Sequence, residues 1–136
     1  MELRKKEYMP RLIDKKIEDY LEVFGAISVE GPKWCGKTWT SEVHANSAVY
    51  LDDPITIGKA KLDLEFILNG EYPELIDEWH LVPQIWDRIR RKCDESTLKG
   101  KYILTCSTQL NDEKQKEIFH SGAGRIGKII MYTMSV

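Results

Sequence analysis

Two glycines, a lysine and a threonine carry the first chemistry legible in this chain. In Gly31-Pro-Lys-Trp-Cys-Gly-Lys-Thr38 they stand in the order G-x-x-x-x-G-K-[ST], the pattern of a loop that wraps phosphate. Glycine lets the backbone turn tightly, so that successive N–H groups point inward as an anion nest. A helix beginning at the end of the loop adds unpaired N–H groups and the positive end of its dipole. Lys37 then reaches the β- and γ-phosphates of a nucleotide, and the Thr38 hydroxyl is a ligand for Mg²⁺. By residue frequency alone the pattern arises in about one chain in 200 of this length. The nucleotide-contacting set predicted from it is Gly31, Pro32, Lys33, Trp34, Cys35, Gly36, Lys37, Thr38 and Trp39. Cys35 sits where a cationic helix start favours thiolate.

Such a loop needs acids across the cleft, and Leu75-Ile-Asp-Glu78 offers two after an apolar run. Asp77 is predicted to hold Mg²⁺ beside Thr38. Glu78 is predicted to orient and polarise the attacking water as general base. Two adjacent acids in a charged chain can also simply end a strand. The third candidate position is Thr105-Cys-Ser107, where a hydroxyl such as that of Ser107 faces the γ-phosphate if its strand lies between the loop-bearing strand and the acidic one. Arg125, flanked by glycines, is a candidate for stabilising charge on the transferred phosphoryl group, from its own site or a neighbour's; a surface arginine is the plainer reading. Trp34, Trp39, Trp79 and Trp86 read first as packing residues, although Trp34 lies inside the loop.

The elements that must position these residues follow from periodicity. Ile13, Ile17, Tyr20, Leu21 and Phe24 form one apolar face of a helix, with Gly25 placed for a left-handed cap. Gly25-Ala-Ile-Ser-Val-Glu30 reads as the buried strand before the loop, and a helix runs from about Thr38 to His44. Strands are predicted over Ser47-Ala-Val-Tyr-Leu51, Glu74-Leu-Ile-Asp77, Lys101-Tyr-Ile-Leu-Thr105 and Ile126 to Met131. A helical segment covers about residues 57–68 until Asn69-Gly70 breaks it. Pro83 opens another helix, whose apolar face is Val82, Ile85, Trp86, Ile89 and Cys93, and a polar helical stretch spans about 111–119. Strands alternating with helices imply an α/β fold, a parallel sheet layered between helices.

Size and composition agree with one such domain. The 136 residues are 42% hydrophobic and 31% charged, enough apolar mass for a core. No apolar stretch approaches membrane-spanning length and no apolar signal region follows the polar start, so a cytoplasmic protein without a membrane partner is expected. A net charge of −2 exerts no global pull on nucleic acid. The basic run Arg88-Ile-Arg-Arg-Lys92 reads as a solvated helix face. Cys35, Cys93 and Cys106 are odd in number and lack a C-x-x-C pair, which reads as free thiols. His44, His80 and His120 are too scattered for a metal site.

Together these segments resemble the ATPase module of AAA-superfamily ATP-binding proteins of bacteria and archaea, a P-loop module that normally precedes an uncharacterised C-terminal domain. Val29-Glu-Gly-Pro-Lys-Trp-Cys-Gly-Lys-Thr38 resembles that family's phosphate loop, and Pro73-Glu-Leu-Ile-Asp-Glu-Trp79 its acidic motif. Tyr102-Ile-Leu-Thr-Cys-Ser107 resembles its sensor strand, His120-Ser-Gly-Ala-Gly-Arg-Ile126 its arginine segment, and Tyr8-Met-Pro-Arg-Leu-Ile-Asp14 its opening segment. The resemblance implies a three-layer P-loop NTPase fold, with about five parallel strands in the order 5-1-4-3-2, and ATP as the nucleotide. No N-K-x-D guanine-reading segment occurs. His80 stands where the family usually has glutamine, and Cys106 replaces a glycine between the two hydroxyl residues, where it could tilt them. Residues 1–24 are expected to form an N-terminal helical segment and 25–136 the nucleotide-binding core, ending before the lid and further domain of such proteins.

The function expected is an ATP-binding, Mg²⁺-dependent ATPase domain that hydrolyses the β–γ bond. The alternatives are a nucleotide-dependent interaction module without hydrolysis, or a truncated ATPase fragment. A small-molecule phosphotransferase is a further reading, although no arginine-bearing lid is evident. A homo-oligomer or a protein partner is compatible with the sequence, and DNA is expected as partner only for a full-length relative.

Overall fold

The computed structural model describes residues 12–32, 36–107 and 126–131, and within them the predicted alternation becomes a three-layer α/β structure. Helix α1 spans Leu12–Val23, strand β1 Ala26–Glu30, helix α2 Lys37–Val43 and strand β2 Ser47–Tyr50. Helices α3 (Pro54–Leu62) and α4 (Leu64–Ile67) follow, then β3 (Glu74–Asp77), a 3-10 turn over Trp79–Leu81, α5 (Gln84–Asp94), β4 (Tyr102–Cys106) and β5 (Ile126–Ile130). The five strands form one sheet in the order β2-β3-β4-β1-β5, and every pairing is parallel. Read from β5, this is 5-1-4-3-2, as the resemblance implies.

Alternation along each strand divides the core between two faces, because successive side chains in a strand point opposite ways. Ile27 and Val29 of β1, Leu75 of β3 and Ile103 of β4 pack with Ile17 and Tyr20 of α1 and with Phe24 just after it. Ala26, Ile76, Tyr102, Leu104 and Cys106 face the other way, against α3, α4 and the Ile85, Trp86 and Ile89 stripe of α5. Strands covered on both faces explain why β1, β3 and β4 are buried at every position.

Two local readings are corrected. Gly25 is not a left-handed cap, since the positive-φ glycines among the described residues are Gly36 and Gly100. Its small size has another use: an added Cβ would lie 2.7 Å from the Cys93 sulfur. The single helix expected over 57–68 is two, because Asp63 adopts an extended conformation and caps the Phe66 N–H with its side chain. The basic run of α5 does lie on a solvated face, where it forms ion pairs: Arg88 and Lys92 with Glu65, and Arg90 and Arg91 with Asp87. The polar helix expected over 111–119 lies outside the described residues.

Helix α1 also fixes the loop-bearing helix. Asp14, buried on α1, lies 2.8 Å from Nε2 of His44 at the end of α2. The tie joins the N-terminal helix to the element that carries Lys37 and Thr38.

Candidate functional site

The C-terminal ends of β1, β3 and β4 converge, and parallel α/β sheets offer their ligand crevice at that edge. After β1 the chain enters the glycine loop and leaves it at Gly36, whose φ of 89° is open to glycine at little cost. That turn starts α2 with Lys37 and Thr38 facing the crevice. Lys37 is 4% exposed, and its Nζ lies 3.5 Å from the Pro32 carbonyl and 3.9 Å from Oε1 of Glu78. Both partners are loose for a buried cation, so the ammonium retains bonding capacity for an anion.

Strand register sets the acids opposite. Leu75 and Asp77 share a face of β3, as do Ile103 and Thr105 of β4, and it is the face on which α1 packs. Thr38 reaches across to the same place: its Oγ1 donates to Oδ1 of Asp77 at 2.8 Å. Thr105 Oγ1 donates to the same oxygen at 2.7 Å and accepts the Glu78 N–H at 2.9 Å. One hydroxyl thus aligns both acids. Glu78 itself adopts φ 60° and ψ 48°, a left-handed conformation that costs a non-glycine residue about 1–3 kcal/mol. Its carboxylate accepts from Ser107, whose Oγ is 2.6 Å from both oxygens, and lies 3.1 Å from Nε2 of His80.

The two acids end on opposite sides of their ordinary values. Burial pushes the Asp77 carboxyl above its ordinary value, the Thr105 and Thr38 hydroxyls oppose this, and the nearby charges of Glu78 and Asp52 add to it. Burial also pushes Glu78 up, but contacts with His80 and Ser107 and the charge of Lys37 outweigh it, leaving the carboxyl below the ordinary value. Glu78 is therefore ionised at neutral pH.

These side chains line a cavity of about 720 Å³, which extends from Lys37 past Asp77 to Trp39, Tyr50, Asp52 and Leu81. Among the described residues its charged lining is Asp52, Asp77 and Glu78 against Lys37. A polyphosphate entering so acidic a site needs further positive charge. A buried carboxylate beside a threonine hydroxyl is the hard-oxygen donor set that suits Mg²⁺, which takes few protein ligands and completes its shell with phosphate and water. The residues fit that ion.

Of the predicted site residues, Gly36, Lys37, Thr38, Trp39, Asp77, Glu78 and Ser107 border this one cavity, with Gly31 and Pro32 on the chain leading into it. Lys33, Trp34, Cys35 and Arg125 lie outside the described residues. Trp39 is a half-buried wall of the cavity, whereas Trp79 and Trp86 pack against each other in the core with ring centroids 5.1 Å apart. Cys106 does not tilt its neighbours: it points to the opposite face and is fully buried there, while Thr105 and Ser107 both reach the acids. The contacts of Thr105, His80, Tyr50 and Asp52 were not foreseen in detail. Period-two alternation from Ile103 could have placed Thr105 with Asp77, but nothing in the sequence foretells the left-handed turn that brings His80 back.

A parallel sheet of order 5-1-4-3-2, with a glycine loop after β1 and an acidic pair after β3, defines a P-loop NTPase fold. A family model described as AAA domain matches residues 24–136. The chain belongs to that family, and with it to nucleotide-binding, ATPase-like domains. A search of the curated proteins gives no match. Among the described residues no helix is long and apolar enough to cross a membrane.

Proposed function

We propose that this domain binds ATP with Mg²⁺ in the crevice before α2 and hydrolyses the β–γ phosphoanhydride bond. The observation that carries the reading is the Thr38–Asp77 hydrogen bond of 2.8 Å, with the Glu78 carboxylate 3.9 Å from the Lys37 ammonium. Loop, metal-binding and base positions thereby meet in one cleft.

In this reading the loop amides and Lys37 hold the β- and γ-phosphates, with residues 31–39 forming the nucleotide's contact surface. Thr38 and Asp77 hold Mg²⁺, which when bound neutralises charge on the phosphate oxygens. Glu78 orients a water in line with the β–γ bond. The water oxygen bonds to the γ-phosphorus as the bridging oxygen leaves with ADP, and the water's proton passes to the Glu78 carboxylate. A carboxylate held below its ordinary pKa is a weak base, so its larger contribution is orientation, which suits a loose transition state. Ser107 keeps Glu78 in place and is positioned to respond to loss of the γ-phosphate. Arg125 is assigned to charge on the transferred group, within one copy or between copies. A nucleotide substrate and a set of free thiols support a cytoplasmic setting.

Titration with ATP and Mg²⁺ followed by a phosphate-release assay on the same sample tests the proposal. Glu78→Gln is expected to bind ATP within about threefold of the parent while phosphate release falls by about 100-fold or more. Release by that variant at the parent rate would remove Glu78 from the mechanism. ATP binding by the parent with no release would identify a nucleotide-dependent interaction module instead.

A further inference from the structure

We propose that His80 is a positioning residue for Glu78, fixing through its Nε2 which way the carboxylate faces in the cleft. This rests on the reading of Glu78 as the base that handles water, and it extends that reading to a neighbour the reading does not use.

The contact needs special backbone geometry. Side chains two residues apart do not face each other on a regular helix. Here Glu78 takes a left-handed conformation and the 3-10 turn Trp79–Leu81 begins at once. The imidazole is thereby folded back to 3.1 Å from Oε2 of Glu78. The turn is anchored, not free to drift: Trp79 is 1% exposed and packed against the Trp86 ring, and the Leu81 and Val82 N–H groups bond to the Glu78 and Trp79 carbonyls. His80 is therefore delivered to the carboxylate by a rigid support.

Its effect follows from counting protons. An ionised carboxylate only accepts, so Nε2 of His80 must carry the hydrogen and donate it. Ser107 has one hydroxyl proton, although its oxygen lies 2.6 Å from both Oε1 and Oε2. With Oε2 engaged by His80, the serine proton is directed to Oε1, on the side where Lys37 lies 3.9 Å away. The two carboxylate oxygens become inequivalent, and rotation about the terminal torsion, otherwise broad, is suppressed. An oriented base aligns water, whereas a rotating one does so for only part of the time. A glutamine placed at this position would carry an N–H able to donate to the same oxygen, which makes it the conservative replacement.

The test compares His80→Gln with His80→Leu, which keeps volume and lacks a donor. The expected result is a fall in kcat of about tenfold or more for His80→Leu, with KM and directly titrated ATP affinity within about threefold of the parent. His80→Gln should return kcat to within about threefold of the parent. Thermal unfolding of each variant checks that the turn is intact. Equal kcat in parent and His80→Leu would overturn the proposal, as would a loss that His80→Gln fails to restore. Glu78→Gln, assayed in parallel, separates the two ideas. If it hydrolyses ATP at the parent rate, the base reading itself has failed; if it is inactive while His80→Leu is normal, the positioning role alone is lost.

Discussion

Lys37 shows how a functional side chain differs energetically from a structural one. It is 4% exposed, yet among the described residues its contacts are a carbonyl at 3.5 Å and a carboxylate oxygen at 3.9 Å. Removing a charge from water is costly unless close partners compensate. The ammonium is thus poised for an anion and adds little to the fold without one. Lys37→Met, which keeps most of the side-chain volume, is expected to weaken ATP binding by about tenfold or more. Its unfolding free energy without nucleotide should stay within about 1 kcal/mol of the parent. Calorimetric titration and urea unfolding on the same preparation check both halves. Retained affinity would show that the loop holds nucleotide without this side chain.

At the scale of elements, strand ends carry the chemistry and strand starts carry strain. Glu74 opens β3 at 1% exposure, with Oε1 3.1 Å from the Gly70 N–H. Burial drives its carboxyl from an ordinary 4.5 to about 7, against the opposing Gly70 N–H and the charge of Lys92. The folded protein therefore binds a proton more tightly at this site than the unfolded chain does. The stability that Glu74 itself contributes is fully present below about pH 4.5 and is lost as pH rises through about 7, about 3 kcal/mol in all. Glu74→Gln, which keeps the acceptor oxygen, should be the more stable protein at pH 8 and close to the parent at pH 5. Urea midpoints at the two pH values decide it, and an equal difference at both would exclude titration of Glu74 as the cause.

Strand β5 meets α1 just as closely. A Cβ on Gly127 would lie 2.5 Å from the Phe24 ring and 2.9 Å from that of Tyr20. Gly127→Ala should therefore destabilise by about 1–3 kcal/mol through forced repacking of that aromatic pair, read as a lower urea midpoint with an unchanged slope. An unaltered midpoint would mean that the rings swing aside freely.

For the whole molecule, the crevice is assembled from parts far apart in the chain: α2, the end of β3 and the end of β4. A ligand that bridges them binds the folded state alone and stabilises it by mass action. ATP with Mg²⁺ at about 100 times its Kd should add about 2.7 kcal/mol, raising Tm by about 5–10 °C. Chelating the ion with EDTA should remove most of that rise. No shift at saturating nucleotide would argue against a phosphate site joining these elements.

Features that depend on neighbours along the chain were legible from residue order alone. The glycine spacing of 31–38 marked where a loop should leave β1, apolar runs fixed β1, β3 and β4, and helical periodicity fixed α1 and α5, since each obeys rules only a few residues long. The acidic pair was legible for the same reason, being an apolar strand that ends in Asp77 and Glu78. Tertiary structure decided what lies between segments. Seating β4 between β1 and β3 gave Thr105 to Asp77 and Ser107 to Glu78. The close approach of Cys93, rather than a left-handed turn, explained Gly25. The left-handed conformation of Glu78 brought His80 back to the carboxylate. Such contacts depend on register and on single dihedral angles set by the packed sheet, and no local pattern of residue types encodes them.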